Sequence, residues 1–287
     1  MSKWVRRSRA GERATPAHIV IGVDLRSTSR AAVLWGTVLA KCIDAEITVV
    51  HALGPGEAIA PEEVPVHSVA AQVTSTLERD WNAPLRQAGI PYELRVRVGS
   101  PIDVLRRVVD VEEPDMLVVG RRAAGGTAGL APGSTSLGML VEPQVPTLVV
   151  PETGPPGRRR PTECPAMRSV LVGIDGSQPS LRALDLASDL AELSAGELVA
   201  VAAVEETPVF PLGPATTLTS EGERDAPGRA AAMLTAACEP ARRRGVRVET
   251  VCRRGIPTQV LLRSASALDV DLVVVGTRGV GAPDSPL

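Results

Sequence analysis

Short apolar runs alternate with helix-periodic segments along this chain, twice over and in the same order. His18-Ile-Val-Ile-Gly-Val-Asp24 and Ser169-Val-Leu-Val-Gly-Ile-Asp175 are β-branched runs closing on Gly-x-Asp, the pattern of a buried parallel strand and the turn leaving it. Each is followed by a segment with apolar residues at helical spacing, Ser29 to Ile43 and Ser180 to Ser194, which predicts a helix. Second strands are predicted at Glu46–His51 and Glu197–Ala202. The halves diverge through Gly54–Val66 and Glu205–Arg224, rich in Pro, Gly and polar residues. They regain register at a helix ending in Gly89 or Gly245, where glycine suits a C-terminus. Third strands follow at Tyr92–Val98 and Val246–Cys252. Gly99-Ser-Pro101 is then answered by Gly255-Ile-Pro257, with proline where a helix can begin. Fourth strands run from Asp115 to Gly120 and from Asp271 to Gly276.

Strands alternating with helices of this length pair in parallel through right-handed crossovers. The expected fold is therefore α/β: two doubly wound, Rossmann-like parallel-sheet domains in tandem. The boundaries read as a basic tail over 1–17, a first domain over 18–151, a linker over 152–167 and a second domain over 168–287. The linker region is dense in Pro, Gly and Arg. After Gly120 the first half continues through a Gly/Ala-rich loop to Gly133-Ser-Thr-Ser136, a short helix and a fifth strand at Thr147–Val150. After Gly276 nothing in the second half matches that Gly-Ser start, helix or strand, so the second domain reads as truncated.

Composition narrows the function classes. Hydrophobic residues make up 44% and charged residues 22%, as in an ordinary globular protein. A net charge of -2 gives no reason to expect nucleic acid, and 2% aromatics leave few rings for stacking bases. Cys42, Cys164, Cys238 and Cys252 show no C-x-x-C spacing, which argues against a disulfide framework or zinc site and for a cytoplasmic setting. No apolar stretch is long enough to predict a membrane span. His51, at a strand end, reads as structural, and His18 and His67 read as surface residues. Arg242 to Arg244 read as cations at a helix C-terminus.

In an open α/β sheet, ligands settle at the carboxyl ends of the strands where strand order reverses. The turn after strand one, the end of strand two and the loop after strand four converge there in the first half. Gly120, Gly125 and Gly126 would let backbone approach a ligand, and Gly133, Ser134, Thr135 and Ser136 would present N–H groups and hydroxyls at a helix start, the usual anion site. The alternative is a glycine-rich surface loop with serines that cap a helix.

On these residues the chain resembles a tandem universal stress protein. Nucleotide-binding members of that family carry Gly-x2-Gly-x9-Gly-(Ser/Thr) after the fourth strand. Here the frame falls on Gly120, Ala123, Gly133 and Ser134. Ala123 departs from it: if that residue needs φ > 0, its methyl costs about 1 kcal/mol. The resemblance implies an adenine-nucleotide site for ATP or ADP, with or without Mg2+. Asp24 after Val23 would contact the nucleoside through its ribose hydroxyls, and Ala52 would lie near adenine. Val119, Gly120, Arg122 and Ala123 would line the nucleotide, with Gly133, Ser134, Thr135 and Ser136 on the phosphates. In the second half Asp175, Ala203, Gly276 and Gly279 match the first part of this site only.

The function so implied is a stress-response regulatory protein with one ATP or ADP site in the first domain, and not an enzyme. No Walker lysine or magnesium carboxylate pair can be assigned, and no catalytic residue or metal ligand is predicted. The alternative is an interaction or scaffold protein of the same fold that binds no nucleotide. Expected partners are the nucleotide and a second domain, through homo-oligomerisation or pairing within the chain; nucleic acid and membrane are not expected.

Overall fold

The computed structural model describes residues 16–54, 66–121, 134–141, 143–151, 167–204 and 226–277. In it the apolar runs become the middle strands of two parallel sheets, in two compact units divided between Pro165 and Ala166.

In the first unit β1 (Ala17–Val23) carries Ile19, Val20 and Ile21 with no exposed surface. Both its faces are covered, which is why the run is continuous instead of alternating. One face meets α1 (Ser27–Ile43), where Gly36 leaves room for Ile21: an added Cβ would lie 2.3 Å from Ile21 Cδ1. The other packs Val20 into a cluster with Leu105, Val108, Leu117 and Val119. Each such side chain contributes about 1.5–3 kcal/mol by leaving water. The remaining elements are β2 (Ala45–Leu53), α2 (Val66–Thr76), a π-helical turn (Leu77–Trp81), α3 (Ala83–Ala88), β3 (Tyr92–Val98), α4 (Pro101–Glu112), β4 (Met116–Gly120), α5 (Ser134–Val141) and β5 (Thr147–Val150). The sheet runs β3-β2-β1-β4-β5.

The second unit repeats the plan with β6 (Ser169–Gly173), α6 (Gln178–Leu193), β7 (Glu197–Val204), α7 (Ala226–Arg243), β8 (Arg247–Arg254), α8 (Pro257–Ala267) and β9 (Leu272–Val274), in the order β8-β7-β6-β9. The tandem doubly wound α/β architecture is as expected from the repeat. Helices end at Gly89 (φ 67) and ahead of Gly245 (φ 89), and α4 and α8 open on Pro101 and Pro257. No helix among the described residues is long and apolar enough to cross a membrane.

The fourth strands differ. β4 keeps its pairing to Gly120 because β5 bonds along it, Leu117 opposite Thr147 and Gly120 opposite Val150. Among the described residues β9 has no such outer neighbour, and it ends at Val274, short of the predicted Gly276. Val273 and Val275 are 43% and 55% exposed, whereas their counterparts Leu117 and Val119 are 0% and 3% exposed.

One repeat contact was not read from the sequence. Asp115 and Asp271, just ahead of β4 and β9, accept hydrogen bonds from the start of the first strand of each unit. His18 N–H reaches Asp115 Oδ2 at 2.9 Å, and the N–H groups of Arg168 and Ser169 reach Asp271 Oδ2 at 2.8 and 3.1 Å.

Two predictions arise from the fold. Ala195, after α6, sits at φ 53, a left-handed position that glycine occupies with less strain. Ala195→Gly is expected to raise stability by about 0.5–1 kcal/mol, read as an increased melting midpoint. Burial pushes the Cys42 and Cys238 thiols above their ordinary ionisation range. The thiolate is the nucleophile, so both should alkylate far more slowly in native than in unfolded protein, as residue-resolved mass spectrometry will show. Because the folded values are raised, this contribution to stability is present at neutral pH and lost as pH climbs past the ordinary thiol range.

Candidate functional site

The first sheet reverses its winding between β1 and β4: β2 and β3 lie to one side of β1, and β4 and β5 to the other. The crevice at the carboxyl ends of these strands is where open α/β sheets take ligands. Its apolar lining is Gly22, Val50, Leu105 and Val119, and around these stand Val23, Asp24, Ser29, Ala52, Pro101, Gly120, Thr135 and Ser136. Gly22 allows close packing here, since an added Cβ would lie 3.1 Å from Leu105 Cδ1 and 3.2 Å from Val119 Cγ1.

Asp24 ends the turn from β1 and is exposed. Its Oδ1 accepts the Ser29 hydroxyl at 2.6 Å and Arg26 N–H at 3.2 Å, and its own N–H donates to Ser29 Oγ at 2.8 Å. Arg26 Nε lies 3.8 Å from Oδ2. Leu25 between them is left-handed at φ 58, a strained conformation for a non-glycine residue. The end of β2 is held to β1 by His51, 2% exposed, whose Nδ1 lies 2.8 Å from the Val23 carbonyl oxygen. This tie gives His51 a structural part. Ala52, the next residue, packs against the core beneath the cleft.

On the far side, the Ser136 hydroxyl donates to the Gly120 carbonyl at 2.8 Å and is buried. That bond docks the start of α5 on the end of β4 and leaves half-buried Thr135 beside the cleft. Arg121 N–H donates to the Val150 carbonyl at 2.7 Å, holding the chain as it leaves β4. Ser134 is the first residue of α5; its side chain, and all of Arg122, Ala123, Gly125, Gly126, Gly133 and Gly279, lie outside the described residues.

The structure thus brings Val23, Asp24, Ala52, Val119, Gly120, Thr135 and Ser136 to one crevice. Gly22, Ser29, Val50, Pro101 and Leu105 line it too, and sequence reasoning gave them no part in the site. Ser29 carried a visible signal: serine stands five residues after the aspartate in both halves, at Ser29 and Ser180.

In the second unit, Asp175 Oδ1 accepts the Ser177 hydroxyl at 2.6 Å and Ser177 N–H at 2.9 Å. Gly276 has a packing reason of its own: an added Cβ would lie 2.8 Å from the backbone carbon of Pro179. Ala203 packs on the local core. No helix start equivalent to Thr135 and Ser136 stands beside them among the described residues.

Two residues outside the cleft depart from the sequence reading. His18, read as a surface residue, is half-buried, with Nε2 2.8 Å from Thr48 Oγ1 and 3.7 Å from Glu112 Oε2. Glu112 is also paired with Arg95, whose guanidinium holds the neighbouring Glu93 carboxyl below the usual carboxylate range. Arg244, read as a helix-terminal cation, pairs with Asp189 at 2.7 Å and lies 3.3 Å from Glu192.

Comparison with known proteins agrees with the tandem fold. The model of the universal stress protein family matches residues 16–151 and 167–286. A universal stress protein from Mycolicibacterium smegmatis is 30% identical over 282 residues, covering 93% of this chain and 89% of its own. The structure of a universal stress protein from Archaeoglobus fulgidus superposes with a TM-score of 0.66 at 18% identity, over 91% of this chain and 86% of that one. A functionally unknown protein from Pseudomonas aeruginosa does so with a TM-score of 0.56 at 15% identity, over 93% and 85%. The chain belongs to the universal stress protein family, with two of its domains in tandem.

Proposed function

We propose that the first unit is an adenine-nucleotide-binding module, and that the protein is a cytoplasmic stress-response regulator with ATP or ADP as its ligand. The observation that carries this reading is the convergence of Asp24, Ala52, Gly120 and Thr135 on one crevice at the β1/β4 reversal. The residues fit the group in kind. An apolar slot of Val50, Leu105 and Val119 suits a flat base beside Ala52. Asp24 offers a carboxylate to sugar hydroxyls, and the start of α5 directs N–H groups toward an anion. Gly133 and Ser134 would complete the phosphate end, with Arg122 adding charge and Ala123 lining the nucleotide. Asp175, Ala203, Gly276 and Gly279 would form at most a partial site. Asp24 is the one ionisable side chain of the described lining, and it is engaged in its own turn. With no second ionisable group in that described lining to pass a proton on, this supports binding over acid–base catalysis. The test is direct: the purified protein should carry adenine nucleotide by mass spectrometry or bind added ATP in calorimetry. Absence of both at millimolar ATP defeats the reading.

A second reading has its own observation. Val273 on β9 and Val275 just beyond its end are exposed and leave this side of the sheet uncharged and apolar, whereas β8 at the other edge carries Arg247, Glu249, Arg253 and Arg254. Charged edges resist pairing and apolar edges invite it, which supports association with a further chain or domain. Light scattering over a wide concentration range tests this: a strictly monomeric protein counts against it.

A further inference from the structure

We infer that Ser29 is a positioning residue that sets the sugar selectivity of the cleft; the inference rests on the nucleotide-binding reading above. Ser29 stands in the first turn of α1 and is 3% exposed. Its hydroxyl grips Asp24 at two points, donating to Oδ1 at 2.6 Å and accepting Asp24 N–H at 2.8 Å. With Arg26 N–H added at 3.2 Å, Oδ1 receives two donors. Among the described residues the nearest cation to Oδ2 is Arg26 Nε, 3.8 Å away and beyond hydrogen-bond reach. Among the described residues the carboxylate is therefore fixed with one oxygen saturated and the other facing no donor within hydrogen-bond reach, open to a ligand. An ionised carboxylate only accepts, so it selects a donor, and the donors a nucleotide's sugar offers are its hydroxyls; holding the carboxylate in place removes an ordering cost from binding. The ligand class that follows is a ribonucleotide, favoured over a sugar lacking those hydroxyls.

The second unit shows that the serine's grip on the carboxylate, unlike its contact with the aspartate N–H, is a local choice and not a property of the Asp-x4-Ser spacing. There Ser180 Oγ still accepts Asp175 N–H, at 3.4 Å, but its hydroxyl donates to the Ser177 carbonyl at 2.9 Å, and the Asp175 carboxylate takes the Ser177 hydroxyl at 2.6 Å. Arg26 occupies the place of Ser177 in the first unit. With no hydroxyl there to take the carboxylate, Ser29 takes it.

Calorimetry with ATP and 2′,3′-dideoxy-ATP on the intact protein tests this, with folding checked by thermal melting. Ser29→Ala should weaken ATP about tenfold, as expected for disturbing a hydrogen bond to a charged group. Dideoxy-ATP should weaken little, so the preference for the ribose form collapses. Adding Arg26→Ser to Ser29→Ala should restore part of that preference, because a serine at this place holds the carboxylate in the second unit. In an Asp24→Ala background Ser29→Ala should change nothing further. Equal weakening of both nucleotides, or the same loss with Asp24 absent, overturns the positioning role while leaving the nucleotide reading intact. A wild-type protein that binds no adenine nucleotide overturns both.

Discussion

Replacing Asp189 with alanine is expected to lower the stability of the second unit by about 3–5 kcal/mol, the cost of leaving one member of a buried ion pair behind. The Asp189 side chain is 1% exposed and the Arg244 side chain 20%, with 2.7 Å between Nη1 and Oδ1. The pair ties the end of α7 to α6, and Glu192 lies 3.3 Å from the same guanidinium. Without Asp189 that charge stays half-buried, with Glu192 left beside it among the described residues. Asp189→Asn should cost less, because a carbonyl oxygen still meets the guanidinium. A joint Asp189→Leu, Arg244→Met replacement should recover most of the loss, since apolar pairs of similar volume commonly replace buried ion pairs at little cost. Urea unfolding of the four proteins measures this directly. A joint variant no more stable than Asp189→Ala would contradict the account.

The second large effect concerns the cleft. Asp24→Ala should weaken ATP by about ten- to a hundredfold, because a hydrogen bond to a charged acceptor contributes roughly 1.5–3 kcal/mol. The same change removes the acceptor for Arg26 N–H and the Ser29 hydroxyl. A modest drop in melting midpoint should therefore accompany it. Asp24→Asn separates the two effects: it keeps an acceptor for the turn and loses the charge. Its affinity should fall well below wild type while its melting stays close. Calorimetric titration with ATP gives the affinities.

Much of this architecture is legible before any coordinates. The apolar runs ending in Gly22-Val-Asp24 and Gly173-Ile-Asp175 mark the central strands because only a strand buried on both faces tolerates such composition. Gly89, Gly245, Pro101 and Pro257 mark helix ends through local backbone preference alone. What escaped depends on contacts between distant segments or on backbone conformation. The π-helical turn at Leu77–Trp81 leaves no composition signal. The Asp189–Arg244 pair joins residues far apart in sequence, and its existence depends on how α6 and α7 pack. His18 looks like the polar head of a strand until Thr48 and Glu112 are seen beside it. Ser29 reads as a first helical residue, and its grip on Asp24 depends on the left-handed turn at Leu25. Gly276 matched a ligand position by spacing, while the fold gives it a packing reason against Pro179.

The asymmetry of the two units follows from the same contacts. Asp24 and Asp175 occupy equivalent turns, but α5 docks on Gly120 through Ser136 in the first unit only, among the described residues. One site per chain, in the first unit, is the central claim. Calorimetric stoichiometry with ATP tests it most directly, on wild type and on the Asp24→Ala and Asp175→Ala variants. One nucleotide per chain is expected, with affinity weakened at least tenfold by Asp24→Ala and unchanged by Asp175→Ala. Two nucleotides per chain, or a site lost with Asp175 and kept without Asp24, would contradict it.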